Sequence, residues 1–159
     1  MSRAYDELVE GESLLRSPPG SRHEEICNRL HSQIAAALNG VTTTKLLAPR
    51  SLVELTSSTK FRPDLTLVTM VTGKPWLFAE VISSDDHRWD TVVKKQIYEE
   101  LKVPRLWMVD PRYNNVEIYH GTPYGLSLKG ILANRETVTE KLLPELKLSV
   151  AELFAKSAE

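Results

Sequence analysis

The sequence is short of cysteine, of long apolar runs and of net charge, and each shortage closes off a class of protein. Cys27 is the one cysteine in 159 residues, so an intrachain disulfide is excluded and a buried, inert thiol is the default. No apolar run approaches the ~20 residues that span a bilayer. The start, "MSRAYDELVEGE", is too acidic and polar for a secretory signal peptide. The formal net charge of −1 argues against a strongly basic nucleic-acid coat, although a local basic groove is compatible with it. Internal repeats, low-complexity tracts and linkers are also missing. What remains is 42% hydrophobic and 26% charged, the balance of an ordinary globular protein. The expectation is a single domain over residues 1–159, cytoplasmic and not bound to a membrane.

The chain reads as alternating helices and strands. "SPPG" hands over to a helix beginning at Ser21, in which Ile26, Leu30, Ile34 and Leu38 recur every fourth residue. Ser21 and Glu24 have capping-box spacing, and Asn39-Gly40 closes the far end. Three strand-like runs follow, "KLLAPRSLVEL", "LTLVTMV" and "WLFAEVIS", with Thr72-Gly73 marking a hairpin between the last two. A second helix is expected over roughly 90–102, buried along Val93, Ile97 and Leu101. "RLWMVDP" is then a strand, and the strand–helix–strand order makes it parallel to its partner. "NNVEIYHG", "LSLKGIL" and "RETVTEKLL" read as an added β-meander, and "LPELKLSVAELFAKSAE" as a brief strand and a short helix. The order is α-β-β-β-α-β with a C-terminal meander, an α/β fold on a mixed central sheet.

Glu80 stands inside the apolar run "WLFAEVIS", where a carboxylate is costly without a partner. With the turn centred near Thr72, facing residues have numbers summing to about 144, which sets Asp64 opposite Glu80 with Cβ atoms about 5 Å apart. A one-residue slip would send one of them to the other face. Facing carboxylates call for a cation, either a divalent metal or a lysine. Alternatively, Glu80 lies at an exposed strand end or pairs with an arginine such as Arg62. On the second helix Lys94 lies about 100° round from the expected buried row and Lys95 about 200° round. Lys94 can then reach the flank of the sheet, with Tyr98 one turn on, or snorkel to solvent. Lys95 would face water and pair with Glu99.

Taken together, "FRPDLTLV", "FAEVISSDDHRWDTVVKKQIYEELKVPRLWMVDP" and "LLPELKLSVAELF", with "ELVEGESLLRSPPGSRHEE" before them, resemble the Uma-type family of restriction-endonuclease-like proteins. That family belongs to the PD-(D/E)XK nuclease superfamily. The likeness spans nearly the whole chain and implies a restriction-endonuclease-like αβββαβ core and metal-dependent hydrolysis of phosphodiester bonds. By it, Asp64 is the motif aspartate and Glu80 the second acid. The usual lysine position, two residues after the second acid, is here Ile82. In the Uma-type family the lysine is displaced onto the following helix, where Lys94 stands with Tyr98 after it.

The implied catalytic set is Asp64, Glu80 and Lys94, and the implied cofactor is Mg2+ or Mn2+ held by Asp64, Glu80 and the Ile82 backbone carbonyl. Glu24 matches the extra first-helix carboxylate of many superfamily members, or is only a helix cap. His23 and Tyr98 are supporting candidates, or a surface histidine and a core-edge tyrosine. His31, His87 and His120 lack metal-ligand spacing. The expected partner is nucleic acid, DNA in the first instance. Lys60, Arg62, Arg88, Lys94, Lys95 and Arg105 could form a phosphate-binding rim or a solvated surface. Edges added by the later strands suit a homodimer. The rival reading is a catalytically silent nuclease-fold module that binds DNA or a protein partner.

Overall fold

A computed structural model describes residues 3–83 and 89–156. In chain order the elements are β1 (Tyr5–Val9), β2 (Glu12–Arg16), α1 (Ser21–Ala37), β3 (Thr44–Leu46), β4 (Val53–Glu54), β5 (Lys60–Phe61), β6 (Leu65–Thr69) and β7 (Pro75–Val81). A π-helical stretch (Trp89–Lys94) then runs into α2 (Lys95–Glu100), followed by β8 (Arg105–Asp110), β9 (Asn115–Thr122), β10 (Gly125–Ala133), β11 (Thr137–Glu140), β12 (Leu143–Ser149) and α3 (Val150–Phe154). Among the described residues the strands form a six-stranded sheet ordered β10-β9-β8-β7-β6-β3, a four-stranded sheet β2-β1-β5-β4 and the pair β11-β12. The expected core is α1, β3, β6, β7, α2 and β8. No helix among the described residues is long and apolar enough to cross a membrane.

The central hairpin has the expected register. Leu65 faces Ala79, Thr66 faces Phe78 and Leu67 faces Leu77, all summing to 144, before a bulge at Val68. Gly73, at φ +69°, supplies the left-handed turn residue. β7 pairs in parallel with β8, setting Glu80 beside Met108, as the crossover requires. β6, β7 and β8 are apolar on both faces because both are covered. Odd-numbered Leu65, Leu67, Leu77, Ala79, Val81, Trp107 and Val109 join Ile26, Leu30 and Ile34 of α1, together with β12 and α3, in one core. Even-numbered Phe78, Ile82, Leu106 and Met108 pack with Phe61 and Tyr98 in a second. Burying each large side chain contributes roughly 1.5–3 kcal/mol.

Three local expectations are corrected, and one unassigned stretch gains structure. "KLLAPRSLVEL" is two strands: β3 pairs with β6 while β4 pairs with β5 in the other sheet, and the chain turns at Arg50, φ +55°. The capping box is not formed. Gly20 is the N-cap of α1 without a side-chain cap bond, and Glu24 turns instead to Arg50. The second helix buries Asp90, Lys94 and Tyr98, while Leu101 is exposed. Its first stretch winds with the wider i→i+5 turn, and the face it presents is set by Tyr98. That ring stacks on Phe78 at 5.0 Å and meets Phe61 edge-on at 5.4 Å. The stretch ahead of "SPPG", to which the sequence reading assigns no element, is an antiparallel hairpin, β1–β2, turning through Glu10 (φ +48°) and Gly11 (φ +86°). The meander continues the main sheet through β9 and β10, while β11 leaves it to pair with β12.

Candidate active site

Glu80 sits on the even-numbered face, 2% exposed, so neither a strand-end position nor an Arg62 partner accounts for it. The Tyr98 hydroxyl donates to its Oε1 at 2.9 Å, and Lys94 Nζ donates to its Oε2 at 3.0 Å. Lys94 is itself fully buried, and its ammonium also donates to Glu7 Oε2 at 2.8 Å and lies 4.8 Å above the Phe61 ring. Lys94 therefore does not snorkel to water.

The N-terminal hairpin completes this inner cluster. Glu7 Oε1 accepts from Arg16 Nη1 at 2.7 Å, and its Oε2 from the Arg62 amide at 2.7 Å. Arg16 Nη2 donates to Asp90 Oδ1 at 3.0 Å, and the Ser83 amide to Asp90 Oδ2 at 3.1 Å. Glu7, Arg16 and Asp90 were not among the residues expected from sequence. A signal was available: "YDELVEGESLLR" sets Glu10-Gly11 between two five-residue runs, and Asp90, Lys94 and Tyr98 follow one another at four-residue spacing.

Asp64 stands just ahead of β6, beside α1. Its Oδ2 accepts the Val81 amide at 2.8 Å, taking a donor that the β6–β7 ladder leaves open, and faces His23 Nε2 at 3.3 Å. Its Oδ1 accepts from Arg50 Nη1 at 3.2 Å. His31 Nε2 lies 2.6 Å from the Asp64 carbonyl oxygen, so α1 grips this residue by both main chain and side chain. His23 Nε2 also contacts the Val81 carbonyl at 2.9 Å, and its Nδ1 meets Cys27 Sγ at 3.5 Å. Glu24 Oε2 accepts from Arg50 Nη2 at 2.8 Å. Ile82 is buried, its amide bonded to Val109 O.

The electrostatics separate the two acids. Burial pushes Glu80 up to about 8, with Asp64, Asp90 and Glu7 adding to the effect and Lys94 opposing it. Burial also acts against Asp64, but His23, the Val81 amide and Lys94 outweigh it and hold that carboxyl at about 2. Burial alone would strip Lys94 of its proton, yet Glu80, Glu7 and Asp90 keep it charged well past the usual lysine range. His23 is raised because Asp64 outweighs its desolvation.

The donor set suits a hard divalent cation. Among the described residues, the carboxylates of Glu7, Glu24, Asp64, Glu80 and Asp90 are joined by ion pairs to Arg16, Arg50 and Lys94, with His23 beside Asp64. Glu24 Oε1 is buried and lies 2.7 Å from Arg50 Nη2 without an aligned hydrogen. All-oxygen carboxylate ligands match Mg2+ or Mn2+. His23, Cys27 and Asp64 also bring ligand atoms within 4.8 Å of one another. Burial raises the Cys27 thiol well above its ordinary range, however, and a protonated thiol beside His23 Nδ1 is a hydrogen-bond donor rather than a soft-metal ligand.

Among the described residues, four of the basic side chains expected at the rim are engaged elsewhere. Lys94 is internal, Arg105 pairs with Glu140 at 2.7 Å, and Lys95 lies 4.4 Å over the Tyr119 ring instead of pairing with Glu99. Glu99 accepts the Leu126 amide. Arg62 turns inward, its Nη1 donating to Arg50 O at 3.2 Å. Arg88 and His87 lie outside the described residues.

Comparison with known proteins adds to this geometry. A family model described as "Putative restriction endonuclease", the Uma2 family, matches residues 4–151. Among solved structures, the crystal structure of "a putative nuclease belonging to DUF820" from Anabaena variabilis ATCC 29413 is similar, with a TM-score of 0.76. The match covers 94% of this chain and 89% of that one at 16% identity, and it shows a shared fold. No match is found among curated proteins. With the family match running from the first hairpin into α3, the chain belongs to the Uma2 family of restriction-endonuclease-type proteins.

Proposed function

We propose that the chain is a Mg2+- or Mn2+-dependent endonuclease that hydrolyses phosphodiester bonds in DNA, with Asp64, Glu80 and Lys94 as its catalytic residues. One observation carries the reading. A buried ammonium on the crossover helix lies 3.0 Å from the second acid of the hairpin, although the strand position usual for that lysine is Ile82. Asp64 and Glu80 are the metal ligands in this reading, with the Ile82 carbonyl as a further oxygen and Glu24 as an outer one. A divalent ion bound there supplies a water of lowered pKa and stabilises charge growing on the phosphate.

The chain's own groups divide the remaining work. Asp64 stays ionised near neutrality and is fixed by the Val81 amide and His23. Glu80 carries a proton more readily and must yield it to act as a ligand. Lys94 keeps its proton, so it acts as a fixed positive charge that orients the attacking water or offsets phosphate charge, not as a general base. Tyr98 holds Glu80 in place, and Glu7 holds Lys94.

The test is nicking of plasmid and degradation of single-stranded DNA and RNA with Mg2+ or Mn2+. Asp64→Asn, Glu80→Gln and Lys94→Ala should each lose at least about 100-fold in rate, assayed where circular dichroism shows a folded chain. Activity that survives in all three sends the chemistry elsewhere. DNA binding without cutting and without carboxylate-dependent Mn2+ uptake would favour the silent binding module, a reading to which the closed Glu7–Lys94–Glu80 pairing lends weight.

A further inference from the structure

The guanidinium of Arg50 spans the two carboxylates at the mouth of the site. Nη1 is 3.2 Å from Asp64 Oδ1, and Nη2 is 2.7 Å from Glu24 Oε1 and 2.8 Å from its Oε2. A planar fork between two carboxylates is a good ion pair, and it occupies the ground where a hard cation shared by those acids would sit. The fit is incomplete, because Glu24 Oε1, for all its closeness to Nη2, receives no aligned hydrogen. Arg50 is also held there by its backbone. It has φ +55°, a left-handed conformation unfavourable for a side chain with a Cβ. Its loop is closed by Ser51 N–H to Ala48 O at 3.2 Å and braced by Arg62 Nη1 on the Arg50 carbonyl. Its side chain is only 18% exposed, yet it forms one wall of an open cleft of about 970 Å³ that Glu24, Ser21 and Asn28 also line.

We infer that Arg50 is a built-in competitor for the divalent cation. It closes Glu24 and Asp64 against each other in the metal-free chain, and once displaced it is presented to the cleft as a phosphate-binding group. This rests on the metal-dependent reading above. Entry of a cation between the two acids removes the fork's reason to stay, since cation and guanidinium repel each other. A guanidinium released at the cleft wall has the bidentate geometry that suits a phosphodiester. Metal loading and backbone capture are thereby linked through one side chain.

The linkage predicts effects of opposite sign, which a merely structural arginine would not produce. Mn2+ uptake is titrated calorimetrically in the full chain, and DNA affinity is measured separately in Ca2+ so that binding is read without turnover. Arg50→Gln should bind Mn2+ about tenfold more tightly than the unsubstituted chain and hold DNA several-fold more weakly. Arg50→Lys, which keeps the charge but cannot bridge two carboxylates, should fall between them on the metal axis. If Arg50→Gln melts early, Arg50→Lys alone decides, by whether its Mn2+ affinity rises. Metal affinity unchanged or lowered in a folded variant overturns the competitor role. Metal affinity raised with DNA affinity unchanged overturns the phosphate role. Asp64→Asn separates the two levels. If Mn2+ uptake does not depend on Asp64, the metal reading fails first; if it does and Arg50 is without effect, only the present inference fails.

Discussion

The two faces of the central sheet solve the problem of burial in opposite ways. The side covered by α1, β12 and α3 is a continuous apolar layer in which Ile26, Leu30, Ile34, Leu65 and Trp107 are sealed from water. The side covered by the π-helical stretch, α2 and the N-terminal hairpin has an apolar layer too, but into it are set Glu7, Arg16, Glu80, Asp90 and Lys94, each at most 4% exposed. Hydrophobic burial alone would favour replacing these charges with aliphatic side chains of similar volume. One side is thus sealed by apolar packing, the other by a network of paired charges set within its apolar layer.

The contrast can be broken most sharply at one position on each face. Lys94→Met should cost about 3–5 kcal/mol at neutral pH, because the ionised Glu7 is left buried without its Lys94 partner. Leu30→Ala should cost about 2–5 kcal/mol through a cavity. Urea denaturation at two pH values tells the losses apart. The Lys94→Met deficit should shrink towards pH 4, as the stranded Glu7 carboxylate takes up a proton, whereas the Leu30→Ala deficit should not change.

A subtler effect separates the faces in the unsubstituted chain. Glu80 is raised from 4.5 to about 8 by burial and its carboxylate neighbours, so between those values the folded state binds more protons than the unfolded one. Its contribution to metal-free stability is therefore fully present below about pH 4.5 and is lost as pH rises through about 8. Asp64, lowered from 3.8 to about 2, works the other way, and its contribution is lost as pH falls through about 2. Urea midpoints measured from pH 5 to 9 should decline, and Glu80→Gln should flatten the decline. A midpoint that climbs with pH would mean Glu80 is ionised throughout. The smallest effect belongs to the apolar side: Ser149→Ala removes the cap on the Glu152 amide at the start of α3 and should cost about 0.5–1 kcal/mol, independent of metal and of pH.

The apolar face was also the legible one. Ile26, Leu30 and Ile34 announce α1 by period, and the Thr72-Gly73 turn fixes the register that sets Leu65, Thr66 and Leu67 against Ala79, Phe78 and Leu77. The other face is less legible, because burial there follows charge partnership and not hydropathy. The apolar row Val93, Ile97 and Leu101 looked like the inner face of the second helix, but Lys94 holds that place because two carboxylates and an aromatic stack await it. Arg50 was hidden inside an apparent strand, since a single left-handed residue is invisible to a pattern of alternating apolar positions. Glu7 and Arg16 lay in a stretch whose Glu-Gly turn is a weaker hairpin signal than Asn-Gly.

The separation along the chain of the groups that meet at Lys94 has a kinetic consequence. Glu7 and Lys94 are 87 positions apart, and Arg16 and Asp90 are 74 apart, whereas β6 and β7 meet across a tight turn. Closing such long loops is entropically slow, so the hairpin sheet should condense first and the first sixteen residues dock onto it afterwards. Interactions formed after the transition state govern how fast a protein comes apart and not how fast it forms. The buried charges at the chain's start should therefore act as a late-fitted bolt, one that leaves the refolding rate unchanged and sets the lifetime of the finished site.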